Sequence, residues 1–296
     1  MRESINYAQL RAFHAVASEG GFTRAAKSLG VTQPTLSLQV KELEASYGVK
    51  LFQRVGRGVE ITELGSALYA ITRRQRAAES EAEQLLSSAR GLIRGRLNLA
   101  ADAPSHVIPL LAAFARRYPA VKPSLTLGNT QDVLTALLEH RAEVAVLADL
   151  APSERLHALP LARERLMLFV SRSHPWAGRK SMRLKELAAE RLILREPGSL
   201  SRARLEEALL GAGVALGDTL EIGSREAVRE AVAAGLGLGA AFRSELGEDP
   251  RLSALAIRDA RIESTEYLAC LKTRLSSAVV RAFFEVAAKE AGARAR

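Results

Sequence analysis

Hydrophobic positions along the chain change rhythm twice. Over residues 1–62 they recur at helical spacing in short runs broken by glycine and threonine. Over residues 63–92 one helical period continues, with no proline and no glycine between Gly65 and Gly91. From Leu97 onward, short apolar runs alternate with amphipathic segments, the pattern of an α/β domain with a largely parallel sheet. The rhythm predicts a small helical domain over 1–62, a linker helix over 63–92 and an α/β domain over 93–296. Gly91 and Gly95 bracket the segment GLIRG and mark a hinge between the last two.

The middle stretch has the sharpest period. Leu64, Leu68, Ile71, Gln75, Ala78, Ala82, Leu85, Ala89 and Leu92 follow alternating steps of four and three. That is the a/d seam of a coiled coil, with Gln75 as a register-fixing polar member. Leu64, Leu68, Ile71, Ala78, Ala82 and Leu85 are therefore expected to form a dimerisation face. The competing reading is a helix packed on its own domain.

The N-terminal run FTRAAKSLGVTQPTLSLQVKELEASYGVKLF, Phe22 to Phe52, predicts two short helices around a glycine turn. Thr23 suits the cap of the first, and Ala25, Ala26 and Leu29 form its small apolar face. Gly30 supplies the turn. Thr32 suits the cap of the second helix, with Pro34 in its first turn, where no N–H is needed. Leu36, Val40, Leu43 and Tyr47 share one face, and Pro34, Ser37, Leu38, Lys41 and Ala45 share the other. This is a helix-turn-helix pattern, in which Gln33 and Ser37 suit base edges or phosphates and Lys41 a phosphate. QRVGRGVEI, Gln53 to Ile61, reads as a β-hairpin wing carrying Arg54 and Arg57.

Charge agrees with that chemistry. The chain of 296 residues has 42 Lys and Arg against 33 Asp and Glu, a net of +9 that favours anionic partners. The single cysteine, Cys270, excludes an intrachain disulfide. MRESINYAQLRAFH lacks the apolar core of a secretory signal, and the most apolar run, Ala231 to Phe242, is too short to span a bilayer. A cytoplasmic protein without membrane contact is expected.

AAKSLGVTQPTLSLQVKELE followed by LFQRVGRGVEITELG resembles the signature of LysR-type transcriptional regulators, and the resemblance covers the whole chain. It implies an N-terminal all-α winged helix-turn-helix, a long linker helix and a C-terminal α/β two-lobed effector domain like periplasmic binding proteins. It also implies double-stranded promoter DNA, a small effector and RNA polymerase as partners, with the chain as a homodimer or homotetramer. By the same resemblance Thr32, Gln33, Pro34, Thr35, Ser37, Leu38 and Lys41 fall on the recognition helix, and Arg54 and Arg57 on the wing. Leu38 departs from the polar or basic residue common there. Either it meets a thymine methyl group or that position does not touch bases.

The α/β part divides into lobe I, about 96–162 and 268–296, and lobe II, about 163–267. A chain that crosses twice between lobes leaves a cleft, a ready site for a small molecule. Ser105, Asn129, Thr130, Ser199, Ser201 and Ser224 stand in loops at expected helix starts, where hydroxyls and unpaired N–H groups receive anions. Each would equally serve as a plain helix cap. Arg195, Arg202 and Arg225 flank these loops and suit a phosphonate, sulfonate or carboxylate. Asp102 and His106 suit an amine or a ligand hydrogen bond. His14, His140, His157 and His174 are scattered without ligand spacing, so neither a metal nor another cofactor is expected.

Within the family, DAPSHVIPLLAAF, LREPGS and EIGSREAVREAVAAGLGLG resemble a subgroup linked to 2-aminoethylphosphonate catabolism. That resemblance implies a zwitterion with a dianionic end, although the same loops suit sulfate or a carboxylate. An α/β enzyme is the rival class, but no G-x-S-x-G elbow, Walker loop or zinc spacing is present, and AAGLGLG follows a helix rather than a strand. A transporter's solute-binding protein would explain the lobes but not the helix-turn-helix.

Overall fold

The computed structural model describes residues 5–56, 58–88 and 93–294. The chain divides into two compact units, Met1–Glu83 and Gln84–Arg296. Among the described residues no helix is long and apolar enough to cross a membrane.

The first unit comprises α1 (Tyr7–Glu19), α2 (Phe22–Leu29), α3 (Gln33–Tyr47), the hairpin β1 (Phe52–Val55) and β2 (Gly58–Ile61), and the start of α4 (Glu63–Ser88). Small side chains let the first three helices approach: Ala12, Ala15, Ala25 and Ala26 pack with Val16, Leu36 and Val40. Gly30 ends α2 at φ +67°, a conformation costly for any side chain but hydrogen, and its N–H bonds Ala26 and Lys27 carbonyls. Thr32 caps α3, its hydroxyl accepting from Thr35 N–H at 3.3 Å. Two expectations need correction. Gly21, not Thr23, precedes α2, and Thr23 instead donates its hydroxyl to Gln33 Oε1 at 3.1 Å. Tyr47 is exposed, because α3 turns out of the core after Leu43 and Glu44.

Helix α4 divides its seam between two duties. Leu68 packs on the unit's own cluster of Leu10, Phe13, Leu43 and Leu51, and Thr72 is buried. Leu64, Ile71, Ala78, Ala82 and Leu85 are exposed. Leu68, a member of the expected coiled-coil face, is thus partly buried against its own domain at the helix start. Ala89 and Leu92 lie outside the described residues.

The second unit is built on a ten-stranded sheet. Its first lobe contains β3 (Gly95–Ala101), α5 (Pro104–Arg117), β4 (Val121–Leu127), α6 (Thr130–Leu138) and β5 (Val144–Ala148). Parallel pairing of β3 with β4 and β5 aligns their C-terminal ends, so Asp102, Asn129 and Ala148 emerge at one edge. The sixteen-residue β6 (Leu156–Ser171) leads out of this lobe. The second lobe follows: β7 (Ser181–Met182), β8 (Leu192–Arg195), α7 (Leu200–Gly211), β9 (Thr219–Ile222), α8 (Arg225–Ala233), β10 (Leu238–Phe242), α9 (Arg243–Leu246) and β11 (Leu252–Ile257). β12 (Glu263–Leu271) returns, and α10 (Ala278–Arg294) closes the first lobe.

The strand β6 joins the lobes physically. Its first half, Leu156 to Arg165, pairs antiparallel with β12, and its second half pairs with β10 and β11. Leu97, Leu99, Phe114, Val146, Cys270 and Phe283 share one core; Leu166, Leu168, Trp176, Leu192 and Leu255 share another. Burial pushes the Cys270 thiol up to about 12, so it stays protonated and inert. Gly95 is not a hinge in a loop: it is the first residue of β3, paired with Val121. Gly91 lies outside the described residues.

Candidate functional site

In the first unit one face of the N-terminal half of α3 packs in the core and the other is open. Gln33, Pro34, Thr35, Leu38 and Lys41 are exposed, Ser37 is partly exposed, and Leu38 shows 57% of its surface. Capping takes up Thr32, and Gln33 accepts from Thr23. The wing forms as expected, with Arg54 exposed on β1; Arg57 lies outside the described residues.

A residue that the spacing did not single out orients the two parts. Glu44, near the end of α3, is buried, and its carboxylate accepts from Leu51 N–H at 2.8 Å and Phe52 N–H at 3.2 Å. Lys50 Nζ pairs with it at 3.0 Å. Burial alone would raise this carboxyl, but the Leu51 N–H, the Lys50 ammonium and the Phe52 N–H outweigh it and hold it below the usual range. A folded value below the unfolded one stabilises above about pH 4.5 and loses that contribution as pH falls through the folded value. Glu44→Gln is expected to lower stability by about 1–3 kcal/mol at pH 7. Urea midpoints followed by circular dichroism check it: the wild type's advantage should shrink on acidification.

In the second unit the two lobes meet around a small polar cavity that opens to solvent. The first lobe contributes Asp102, Asn129, Thr130 and Ala148 from the strand ends, with Glu266 from β12. The second contributes Arg195, Ser199, Leu200, Ser201, Arg225, Phe242 and Glu245. Asp102 Oδ2 accepts from Thr130 Oγ1 at 2.6 Å and from Ala148 N–H at 3.1 Å. Ser199 precedes α7 but its side chain does not cap it; the hydroxyl lies 3.1 Å from that of Ser201, and both serines are buried. The start of α7 thus offers hydroxyls and N–H groups to the cavity.

Of the expected effector residues, the fold gathers Asp102, Asn129, Thr130, Ser199 and Ser201 here. Four others do not line the cavity. Ser224 caps α8 through Ala227 N–H and donates to Glu226. Arg202 is engaged by Glu206, Glu221 and the Arg195 carbonyl. His106 Nε2 lies 3.0 Å from Ser244 Oγ and 3.4 Å from Glu164, and Ser105 also faces Ser244.

The flanking arginines Arg195 and Arg225 do line it, paired with Glu196 at 2.7 Å and Glu245 at 2.5 Å. Glu245 and Glu266 were missed. Strand alternation could have found Glu266, which shares a buried face with Ser264, Leu268 and Cys270. Burial first, then the Asp102 charge, pushes the Glu266 carboxyl up to about 10; burial also raises Glu245, against the pull of Arg225. Outside the cavity, Arg204 on α7 spans the lobes to Asp149 Oδ2 at 2.7 and 3.0 Å. Among the described residues no group of three or more His, Cys, Asp or Glu could hold a metal ion.

Comparison with known proteins covers both units. Residues 7–66 match the bacterial regulatory helix-turn-helix protein, lysR family, and residues 90–292 match the LysR substrate binding domain. The transcriptional activator CmpR of Synechocystis sp. is 30% identical over 282 residues, spanning 94% of this chain and 93% of its own. The LysR family regulator CbnR, solved full-length with its target DNA, is 25% identical with a TM-score of 0.70, covering 97% of this chain and 100% of that one. The regulatory domain of Synechocystis CcmR, solved with 2-PG, is 27% identical with a TM-score of 0.61 over 67% of this chain and 98% of its own. The two family matches cover the winged helix-turn-helix and the two-lobed domain in turn, and the chain belongs to the LysR-type transcriptional regulators.

Proposed function

We propose that this regulator's grip on promoter DNA is switched by a small zwitterion held between the lobes, and that 2-aminoethylphosphonate is that effector. The carrying observation is the cavity's lining. Ser199, Ser201 and Thr130 supply hydroxyls, and the buried Nε–H of Arg225 has no acceptor, a donor that an incoming anion would satisfy. The strings DAPSHVIPLLAAF, LREPGS and EIGSREAVREAVAAGLGLG support the phosphonate by resemblance.

On the DNA side, Ser37 and Leu38 on α3 read the major groove while Lys41 on α3 and Arg54 and Arg57 on the wing contact the phosphate backbone. Pairing of two chains along α4 uses Leu64, Ile71, Ala78, Ala82 and Leu85, and contact with RNA polymerase follows from how paired chains sit on the promoter.

Calorimetric titration of the full chain with 2-aminoethylphosphonate tests the effector, with phosphate, sulfate and glycine as controls. Micromolar binding of the phosphonate alone is the expected result, accompanied by a changed affinity for duplex DNA. Heat from sulfate or phosphate alone would replace the ligand while leaving the regulator. Affinity for duplex DNA should fall steeply and linearly with log salt as phosphate contacts release counterions. A flat salt response would overturn the placement of Lys41, Arg54 and Arg57 on the backbone.

A further inference from the structure

The cavity is not a simple anion receptor, because its positive charges are already matched. Arg195 is met by Glu196 through two hydrogen bonds of 2.7 and 2.8 Å, and Arg225 by Glu245. Asp102 and Glu266 remain. They are 6% and 3% exposed, and no N–H or O–H of another residue reaches Asp102 Oδ1 or Glu266 Oε1. Buried polar atoms are normally satisfied, so two facing acceptors call for a donor between them, either a proton on Glu266 or one that arrives with a ligand. The charge count gives the donor's sign. An anion alone would add negative charge to an acidic wall, whereas a cationic group would neutralise it.

We propose that Asp102, Glu245 and Glu266 form an ammonium subsite, so that the effector is a primary amine carrying an anion on a short tether, and that its ammonium replaces a proton held by the Asp102–Glu266 pair. This rests on the cavity being the effector site. An ammonium has three donors, two for the facing oxygens of Asp102 and Glu266 and one to share the Glu245 carboxyl with Arg225 and Phe242 N–H. In its absence a proton does the same electrostatic task. Glu266 holds it, being buried beside Asp102 with Glu245 and Glu164 also pressing on it from α9 and β6. The cationic neighbours are engaged elsewhere: Arg225 on α8 with Glu245, Arg195 on β8 with Glu196, and His106 on α5 with Glu164 and Ser244. The exchange balances without covalent change. The amine enters as R–NH3+ and keeps its protons, the Glu266 carboxyl becomes a carboxylate, and one proton passes to buffer.

Three amines test this by calorimetry on the full chain: 2-aminoethylphosphonate, 2-aminoethanesulfonate and 3-aminopropanoate. Each is paired with its amine-free counterpart, ethylphosphonate, ethanesulfonate or propanoate. At least one amine is expected to bind about 100-fold tighter than its counterpart, since the charge-assisted bonds to the carboxylates are lost without it. Two buffers of different ionisation enthalpy, neither a primary amine, should report about one proton released per ligand. Affinity should rise about tenfold per pH unit between about pH 7 and 8.5, above the second ionisation of the phosphonate. In Glu266→Gln, checked for an unchanged melting curve, proton release and the pH slope should vanish.

Each outcome decides. Binding of the sulfonate or carboxylate amine but not the phosphonate upholds the subsite and overturns the phosphonate reading. Equal binding of amine and amine-free phosphonates overturns the subsite and leaves that reading standing. Amine binding without proton release overturns the exchange, and silence from all six compounds overturns both readings.

Discussion

Replacing Arg274 by methionine is expected to lower the stability of the second unit by about 3–5 kcal/mol, the usual result of stranding a buried charge. Arg274 and Glu143 pair with side chains only 5% and 10% exposed. The other Glu143 oxygen accepts from Asn98 N–H at 3.0 Å, and Glu143 N–H donates to the Asn98 carbonyl at 2.8 Å. The pair thus ties β3 to the entrance of β5 and to the 3-10 turn Lys272–Ser276. Without the guanidinium, a carboxylate stays in the core with one N–H to solvate it. The double variant Glu143→Met with Arg274→Met should recover part of the loss, because a buried pair contributes little beyond its own desolvation. Asn98 N–H would still lack its acceptor, a residual cost of about 1–3 kcal/mol. Trp176, the sole tryptophan, is buried in this unit and reports its urea unfolding. A single-variant loss below about 1 kcal/mol would show that the pair is hydrated.

What the sequence made legible follows from the range of the interactions. Thr32, Gly30 and the apolar face of Leu36, Val40 and Leu43 act within a turn or two of helix, and all three appear as expected. The strands β3 and β5 were legible as apolar runs bounded by turns. The first half of β6 was not, because its burial is mixed and only Leu166 to Ser171 is continuously buried. Serine loops were legible as loops, yet not their duties: Ser224 caps its helix while Ser199 leaves its own uncapped, a difference of side-chain orientation that no spacing encodes. Glu266 meets Asp102 only because β12 returns beside β5 after the whole second lobe has been threaded.

The bridge between the lobes belongs to the same long-range class. Asp149 sits at φ +48°, an uncommon backbone for a residue with a side chain, and its Oδ1 accepts from Thr265 N–H at 2.9 Å. Its other oxygen holds Arg204, whose side chain is 36% exposed. An ion pair that wet is worth about 0.2–1 kcal/mol, so it orients the lobes without locking them.

Gly65→Ala is expected to reverse the ordinary sign of a helix substitution. Glycine to alanine inside a helix usually stabilises by about 0.5–1 kcal/mol. Here an added Cβ would collide with the Leu51 carbonyl oxygen and stand 2.7 Å from Ile61 Cγ1. Neither neighbour can give way cheaply. The Leu51 carbonyl accepts from Thr62 N–H at 3.0 Å, and the Thr62 hydroxyl accepts from Gly65 N–H at 3.0 Å. Shifting Leu51 also disturbs the N–H that Glu44 holds, and with it the wing's position on α3. Overpacking of this kind costs about 1–3 kcal/mol. The functional readout should be larger than that of a surface change: duplex DNA affinity falls by about tenfold, roughly 1.4 kcal/mol, while effector calorimetry on the second unit's cavity is unaffected. Ser66→Ala, one position on and exposed, is the matched control and should leave both unchanged. If Gly65→Ala behaves like its neighbour, α4 does not approach Leu51 closely, and the wing is positioned by Glu44 alone.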